Sequence, residues 1–144
     1  MKAIVQRVAR ASVTVDGTVV SEIGPGLLVL AGVTHGDGPA QVEKLARRIL
    51  ALRVFPGEGG DMDSSLAADM EVLCVSQFTL YGNTSKGNRP SWGDAAPGDV
   101  AQPLWETLCD ALGAKRGVFG AMMEVELVND GPVTLTIEEL PAGS

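Results

Sequence analysis

An apolar run at residues 72–75 becomes polar abruptly at Ser76 and Gln77, and the segment Ser76, Gln77, Phe78 and Thr79 presents two hydroxyls and an amide. A buried strand that becomes polar at its end usually delivers those groups to a surface or a pocket. Hydroxyl, amide and backbone N–H groups gathered in a pocket can position a water molecule and stabilise a developing oxyanion. The ordinary alternative is a strand end whose hydroxyls are satisfied locally, and the pattern by itself leaves both open.

A second polar segment, Asn-Asp-Gly-Pro-Val-Thr-Leu at residues 129–135, separates two strand-like runs at residues 123–128 and 133–137. Proline cannot donate to a strand ladder, so Pro132 predicts a corner between two hairpin-like strands. Gly131 has no Cβ, which would let a ligand approach the backbone closely, and a Gly-Pro bond can be cis. The alternative is a purely structural β-corner.

Other residue types that could do chemistry are sparse. His35 is the single histidine and would have to serve any Ser-His-Asp triad, but nothing in the sequence brings it to Ser76, so an ordinary turn histidine is predicted. Cys74 falls in the apolar run and Cys109 on a predicted helix, which favours buried, reduced thiols. One histidine and two separated cysteines give no ligand spacing, so neither a metal nor a cofactor is predicted.

The elements that must position these residues can be read from local patterns. Residues 13–20 predict a hairpin with an Asp16-Gly17 turn, and residues 27–33, apolar on both faces, predict a central strand. A helix with one apolar stripe is predicted from Pro39. Residues 52–55 then predict a short strand that closes a βαβ unit with a right-handed crossover.

The second half of the chain predicts one more helix after a long loop. The loop spans residues 82–98 and contains Trp92, for which packing and substrate contact both stay open. The helix should begin near Asp99 and end at Gly113. Its apolar face is predicted to carry Val100, Leu104, Leu108 and Leu112.

These elements predict a mixed α/β fold of roughly seven strands, in two sheets or a partly closed barrel, with two main helices. A length of 144 residues is typical of one domain, and no linker or internal repeat interrupts it. We therefore expect a single domain over residues 1–140 and a frayed tail over residues 141–144.

Composition narrows the functional class. The chain is 45% hydrophobic and 20% charged, without an apolar run long enough for a membrane span or a secretory signal, so a soluble cytoplasmic protein without a membrane partner is predicted. A net charge of −7 argues against a protein that coats nucleic acid non-specifically. Charge alone indicates ordinary solvated side chains in two small basic groups, which are Lys2, Arg7 and Arg10, and Lys86 and Arg89.

The two polar segments also carry a family resemblance. Ser-Gln-Phe-Thr-Leu at residues 76–80, followed about fifty residues later by Asn-Asp-Gly-Pro-Val-Thr, resembles the signature pair of the D-aminoacyl-tRNA deacylases. The similarity extends over residues 1 to about 139. Four further segments are similar to the family: residues 1–8, 32–37, 86–91 and 119–123.

The resemblance implies a three-layer β/β/α fold and an editing hydrolase without a cofactor. Its expected partner is the 3′ end of a tRNA that carries a D-amino acid or glycine, including glycyl-tRNA(Ala), and no DNA partner is expected. It implies that Ser76, Gln77, Phe78 and Thr79 form the catalytic segment. The 2′-hydroxyl of the terminal adenosine would assist catalysis, and Thr79 as nucleophile is the competing assignment.

The resemblance also implies a homodimer. The Gly131-Pro132 element, with a cis bond, would enter the active site of the neighbouring subunit and reject L-aminoacyl esters. Arg7 and Asn129 would support it. One position departs from the family pattern: Asn88 stands in the basic loop where the family often has a basic residue, which weakens one possible phosphate contact.

Two alternatives of other classes stay open. The chain could be a non-catalytic RNA-binding or oligomerisation module on the same scaffold, although its acidic charge disfavours tight RNA binding. It could instead be a general esterase with Ser76 as nucleophile and His35 as base, which requires the two side chains to meet.

Overall fold

The main sheet is organised around one long strand. The computed structural model describes residues 1–143, and its first strand, β1 (Lys2–Val15), pairs with three others. Residues 2–8 of β1 pair antiparallel with β3 (Gly26–Gly32), and residues 11–15 pair with β2 (Thr18–Ile23). The opposite edge of β1 pairs with β8 (Glu124–Glu138) over almost its whole length. Both edges of β1 are therefore occupied.

The predicted hairpin turn is confirmed. Asp16 and Gly17 connect β1 to β2 with φ angles of 50° and 78°. Positive φ at both central residues is typical of a type I′ hairpin turn, whose twist matches that of the strands, and an Asp-Gly pair adopts it readily. The strand before the turn begins at Lys2, so it extends well upstream of the hairpin predicted at residues 13–20.

The central strand is also confirmed. β3 runs antiparallel to β1 and parallel to β6 (Glu71–Ser76), which in turn pairs with the short β7 (Lys115–Arg116). Alternate residues of β3 and β6 face two different hydrophobic clusters, so both strands are buried on both faces. Their continuous apolar runs follow from that double burial.

Two helices cover one face of the sheet. α1 (Pro39–Ala51) begins at Pro39 as predicted and buries the expected stripe. α2 (Gly98–Leu112) begins one residue before Asp99, with Pro97 at the N-cap, and ends at Gly113 in the left-handed conformation. The predicted face of α2 is wrong at Val100, which is 44% exposed. The helix is rotated so that the large side chain of Trp105 enters the core. The buried residues of α2 are Ala101, Trp105, Leu108, Cys109 and Leu112.

The predicted strand at residues 52–55 is largely wrong. Only β4 (Phe55–Pro56) forms there, and it pairs with β5 (Met62–Ser64) in a separate two-stranded sheet. Arg53 is drawn toward the same hairpin, because its Nε donates to the carbonyl of Asp63 at 2.7 Å. The parallel strand that follows α1 in the main sheet is therefore β6.

The predicted hairpin around residues 131 and 132 is wrong as well. β8 is one strand that runs past these residues and pairs with β1 on both sides of them. Thr134 lies opposite Gln6 and Asn129 lies opposite Val8, so four residues of β8 face the single residue Arg7. The Gly-Pro pair therefore forms a bulge within a strand, because β1 offers a partner to both halves of β8.

The fold class is otherwise confirmed. Within residues 1–143, six strands form a nearly closed, barrel-like sheet, a second small sheet has two strands, and two helices pack outside. One hydrophobic cluster lies between the helices and the sheet, and the other lies inside the curved sheet. No helix in residues 1–143 is long and apolar enough to cross a membrane. The expected frayed tail at residues 141–144 includes residue 144, which lies outside the described residues.

The packing of β3 against β6 predicts a sensitive glycine. A Cβ on Gly26 would lie 1.8 Å from the carbonyl oxygen of Glu71, whereas a Cβ on Gly24 would meet nothing within 4 Å. Because backbone must move to admit it, we expect Gly26→Ala to lower the free energy of unfolding by about 1–3 kcal/mol. Gly24→Ala should change it by less than about 0.5 kcal/mol. Urea unfolding of both variants measures the difference, and equal effects would contradict this account.

Candidate active site

The polar segment after β6 is held in place by the backbone. Ser76 is the last residue of β6 and lies opposite Ala31 of β3. The N–H of Gln77 donates to the carbonyl of Ala31 at 2.8 Å, and a 3-10 helix then spans Phe78–Tyr81. Its first hydrogen bond joins the N–H of Leu80 to the carbonyl of Gln77 at 3.2 Å. The N–H groups of residues 78 and 79 precede that bond and lack an acceptor within the helix.

The side chains of this segment face outward from the core. Gln77 donates from Nε2 to the hydroxyl oxygen of Thr79. Phe78 is 56% exposed and its ring meets the ring of Trp92 edge-on, with centroids 5.2 Å apart. A Cβ on Gly82 would lie 2.7 Å from the Trp92 ring, so the aromatic pair packs closely over the end of the 3-10 helix. The sequence left two roles open for Trp92, packing and substrate contact. In the structure its ring packs and also lines the site.

A cavity of about 710 Å³ opens beside this segment. One wall is residues 75–79, and a second is Trp92 with residues 95–98 and Ala101 at the start of α2. The third wall is residues 119–123 together with Val125. Most of the lining side chains are apolar or aromatic, and the polar groups are concentrated in the wall of residues 76–79. Such a cavity is typical of a ligand site with a few orienting polar groups.

The wall at residues 119–123 was not assigned to the site from the sequence. It comes from a turn between β7 and β8, where Met122 is 92% exposed and Met123 is half-buried. Its Phe119 ring packs against Trp105 of α2, with centroids 5.7 Å apart, which fixes the turn to the core. An apolar, glycine-containing turn is unusual at a surface, and that contrast is the signal that could have identified it.

No base accompanies the hydroxyls of this cavity. None of its lining residues is a histidine, aspartate or glutamate. His35 lies in a turn, as predicted, and its Nε2 is 2.7 Å from the carbonyl oxygen of Gly93. Within residues 1–143 no group of three His, Cys, Asp or Glu side chains is arranged to hold a metal ion. A conventional serine triad is therefore absent from the lining of this site.

The two thiols are buried and neither lines the cavity, so neither is placed to act as a nucleophile there. Cys74 and Cys109 are both free and buried, as predicted. A hydrogen bond with Cys109, together with burial, holds the pKa of the Cys74 thiol well above its usual value. A thiol with a raised pKa stays protonated at neutral pH and is a poor nucleophile.

The second polar segment forms the bulge of β8. The side chain of Asn129 closes it from within, because its Oδ1 accepts from the N–H of Val133 at 3.2 Å and its Nδ2 donates to Thr134 Oγ1 at 2.9 Å. The first bond gives the Val133 N–H an acceptor that the ladder does not supply in the bulge, and the second fixes the Asn129 side chain. Gly131 and Pro132, joined by a cis peptide bond, lie exposed at its tip.

Arg7 holds the bulge from the opposite strand. Its Nε donates to the carbonyl of Asp130 at 3.2 Å and lies 3.4 Å from that residue's carboxylate. Its Nη1 donates to the carbonyl of Val54 at 2.6 Å, which ties the bulge to the segment after α1. A Cβ on Gly131 would lie 3.0 Å from Arg7 Nη2 and 2.9 Å from a methyl group of Val133, and the φ of 124° at this position also favours glycine.

The structure therefore places the sequence-predicted site residues in two groups. Residues 76–79 line the cavity. Arg7, Asn129, Gly131 and Pro132 meet at the bulge, and none of them lines the cavity of the same chain.

Comparison with known proteins places the chain in a family. The family model for D-Tyr-tRNA(Tyr) deacylase matches residues 4–138. The chain belongs to this family. The D-aminoacyl-tRNA deacylase of Kineococcus radiotolerans is 56% identical, and the match covers 96% of this chain and 99% of that protein.

Solved structures agree with the observed fold. A structure titled c-Myc DNA Unwinding Element Binding Protein superposes with a TM-score of 0.90 at 44% identity, covering 97% of this chain and 99% of that one. A structure titled as a probable eukaryotic D-amino acid tRNA deacylase has a TM-score of 0.79 at 15% identity, covering 94% and 97%. The second likeness concerns the fold alone.

The family match includes both groups of site residues. Residues 76–79 and the bulge lie inside the matched range, as do the turn at residues 119–123 and the loop at residues 82–98. The cavity and the bulge are therefore both features of the deacylase domain.

The contacts of Arg7 predict how the bulge is stabilised. Arg7→Met removes the hydrogen bonds to Asp130 and Val54 and retains an unbranched apolar side chain. Because hydrogen bonds from charged groups contribute about 1.5–3 kcal/mol, we expect the Val133 amide to exchange about tenfold faster or more. Arg10→Met is the matched control on the same strand, since Arg10 is exposed. Equal exchange rates in both variants, measured by NMR, would contradict this role.

Proposed function

We propose that this protein is an aminoacyl-tRNA editing hydrolase, which cleaves the ester of D-aminoacyl-tRNA and releases the D-amino acid and free tRNA. The observation that carries the proposal is the cavity of about 710 Å³ beside Ser76–Thr79 in a chain that belongs to the deacylase family. We further infer that residues 1–140 act as one domain in the cytoplasm, where the tRNA substrate is found.

The cavity suits the 3′ end of an aminoacylated tRNA. Its size is within the range of sites that enclose most of a small ligand. Exposed aromatic faces at Phe78 and Trp92 offer stacking surfaces for a base, and the polar wall of residues 76–79 offers groups for the ester. In this arrangement the terminal adenosine and the amino acid occupy the cavity, and the ester lies at the polar wall.

Hydrolysis at this wall requires a positioned water more than a strong nucleophile. The ester of an aminoacyl-tRNA is already activated, so stabilisation of the developing oxyanion contributes much of the rate. The N–H groups of Phe78 and Thr79, which precede the first bond of the 3-10 helix, are the donors that we assign to it. Attack by water on the carbonyl gives a tetrahedral intermediate, and its collapse releases the 3′-hydroxyl of the tRNA and the carboxylate.

The tRNA supplies the group that orients the water. The 2′-hydroxyl of the terminal adenosine is adjacent to the ester, and the cavity lining offers no histidine or carboxylate for that purpose. Thr79 accepts a hydrogen bond from the Gln77 amide, which is a donor and cannot remove a proton. Thr79 accordingly lines the site, and its assignment as nucleophile is the second candidate.

Chiral selection requires a second subunit. The bulge is exposed, is held firmly by Arg7 and Asn129, and lies outside the cavity of its own chain. In a homodimer, Gly131 and Pro132 would enter the partner's cavity, and their carbonyl groups would accept from the substrate ammonium. They would then occupy the place of an L side chain. Glycine has no side chain to reject, so glycyl-tRNA(Ala) is also a substrate.

The first test compares the two enantiomers. We expect the protein to release D-tyrosine from D-tyrosyl-tRNA and to leave L-tyrosyl-tRNA at the rate of spontaneous hydrolysis. Glycyl-tRNA(Ala) should be cleaved, and analytical ultracentrifugation of the active protein should give a dimer. Rapid hydrolysis of both enantiomers would refute the selective role of Gly131 and Pro132, and a fully active monomer would refute the role of the second subunit.

A second test separates the RNA from Thr79. If the 2′-hydroxyl assists, Thr79→Ala should retain activity to within about tenfold, whereas loss of a covalent nucleophile costs several powers of ten. A tRNA that ends in 2′-deoxyadenosine and carries D-tyrosine on its 3′-hydroxyl should be cleaved about a thousandfold more slowly, equivalent to about 4 kcal/mol. Single-turnover rates measure both. Fast cleavage of the deoxy substrate with an inactive Thr79→Ala would restore Thr79 as nucleophile.

A rival function is nucleic-acid binding without catalysis. One related structure is titled as a DNA unwinding element binding protein. The net charge of −7 disfavours it here, since phosphate contacts supply most of the affinity for DNA. Tight binding of duplex DNA by a protein that releases no D-tyrosine would favour this rival.

A further inference from the structure

A second, smaller cavity lies in the loop between the 3-10 helix and α2. Its volume is about 190 Å³, and it is lined by Asn83, Ser85, Lys86, Arg89 and Ser91. All five side chains can form hydrogen bonds, and two of them are cationic. Because one water occupies about 30 Å³ in the liquid, the cavity has room for a phosphate group and a few waters.

The loop around this cavity is ordered by its own hydrogen bonds. Asn83 and Ser91 form an antiparallel bridge, with both N–H···O distances at 2.9 Å. The side chain of Asn83 accepts from the N–H of Ser85 at 2.8 Å, and a turn follows at Gly87, which has φ of 147°. This hairpin-like closure brings Lys86 and Arg89 to the same small cavity.

The two cations are not neutralised locally. Salt bridges within residues 1–143 engage Arg7, Arg47, Arg48, Lys115 and Arg116, among other residues, but neither Lys86 nor Arg89. Both side chains are exposed. In a protein with a net charge of −7, two adjacent unpaired cations lining a polar cavity favour an anionic ligand.

The small cavity is next to the active site along the chain. Ser91 lines the small cavity, and the next residue, Trp92, lines the large one and packs on Phe78. A strand of RNA whose 3′-terminal nucleotide occupies the large cavity would therefore pass close to the loop. The charges repeated along that strand are its phosphodiesters.

We infer that Lys86 and Arg89 bind backbone phosphate of the tRNA strand that carries the amino acid, close to its 3′ end. This inference rests on the proposed function and adds a residue-level contact with the RNA backbone. Arg89 can donate two parallel hydrogen bonds to a phosphate, and Lys86 adds a point charge. Asn83, Ser85 and Ser91 supply hydrogen-bonding groups without charge.

The test compares two substrates that differ in their phosphates. One is D-tyrosyl-tRNA, and the other is the D-tyrosyl ester of adenosine, which has no phosphodiester. In the Lys86→Ala/Arg89→Ala variant we expect KM for the tRNA to rise about ten- to a hundredfold, with kcat within about twofold. The slope of log kcat/KM against log salt concentration should become shallower by about 0.7, since one single-strand phosphate contact contributes about that much. Turnover of the adenosine ester should be unchanged.

Lys44→Ala/Arg47→Ala is the matched control. It removes the same two charges from exposed positions on α1, outside both cavities. It should leave KM and the salt slope for the tRNA as in the wild type. The charge-conserving variant Lys86→Arg/Arg89→Lys should retain most of the affinity for the tRNA.

The outcomes separate this inference from the proposed function. Equal effects of the two double-alanine variants would reduce the effect to bulk charge and overturn the site, as would an unchanged salt slope. A loss of adenosine-ester turnover would place the loop in the catalytic wall instead. Failure of the wild-type protein to cleave either substrate would refute the proposed function itself.

Discussion

The structure depends on the pairing of β8 along the whole length of β1. Both edges of β1 are occupied, so the curved sheet has no freedom to shift one strand without disturbing three others. Within that constraint, β8 must accommodate a glycine followed by a proline, and the proline cannot donate to the ladder. The strand forms a bulge of four residues opposite Arg7. Asn129 and Arg7 then bond to the displaced backbone groups, since backbone polar groups need partners.

The bulge and the cavity illustrate two ways of holding an exposed polar segment in place. At the bulge, the tip is exposed and its base is tied by the side chains of Arg7 and Asn129, which link three segments of the chain. At the cavity, the end of the doubly buried β6 fixes the start of a 3-10 helix. Both segments are thus anchored to paired strands of the main sheet, and under the proposed function this anchoring would favour preorganised electrostatic stabilisation over nucleophilic catalysis.

The distribution of charge fits the proposed RNA substrate, which would be held at one end. The protein is acidic overall, which weakens non-specific attraction to nucleic acid, while the unpaired cations of the small cavity are adjacent to the active site. The apolar and aromatic walls of the large cavity contribute stacking and burial, which are insensitive to salt. Affinity for a single RNA end can thus coexist with low affinity for RNA in general.

The sequence by itself determined the local elements and the positions of the two polar segments. The Asp16-Gly17 turn, the doubly buried β3, the start of α1 and the polar end of β6 follow from turn chemistry, periodicity and apolar runs, which act between near neighbours. Tertiary structure decided what depends on distant partners. The residues flanking Pro132 have the sequence pattern of a hairpin, but in the fold both halves of β8 pair with β1. Val100 of α2 faces outward because Trp105 fills the core. Residues 119–123 become a cavity wall only because the Phe119 ring packs on α2.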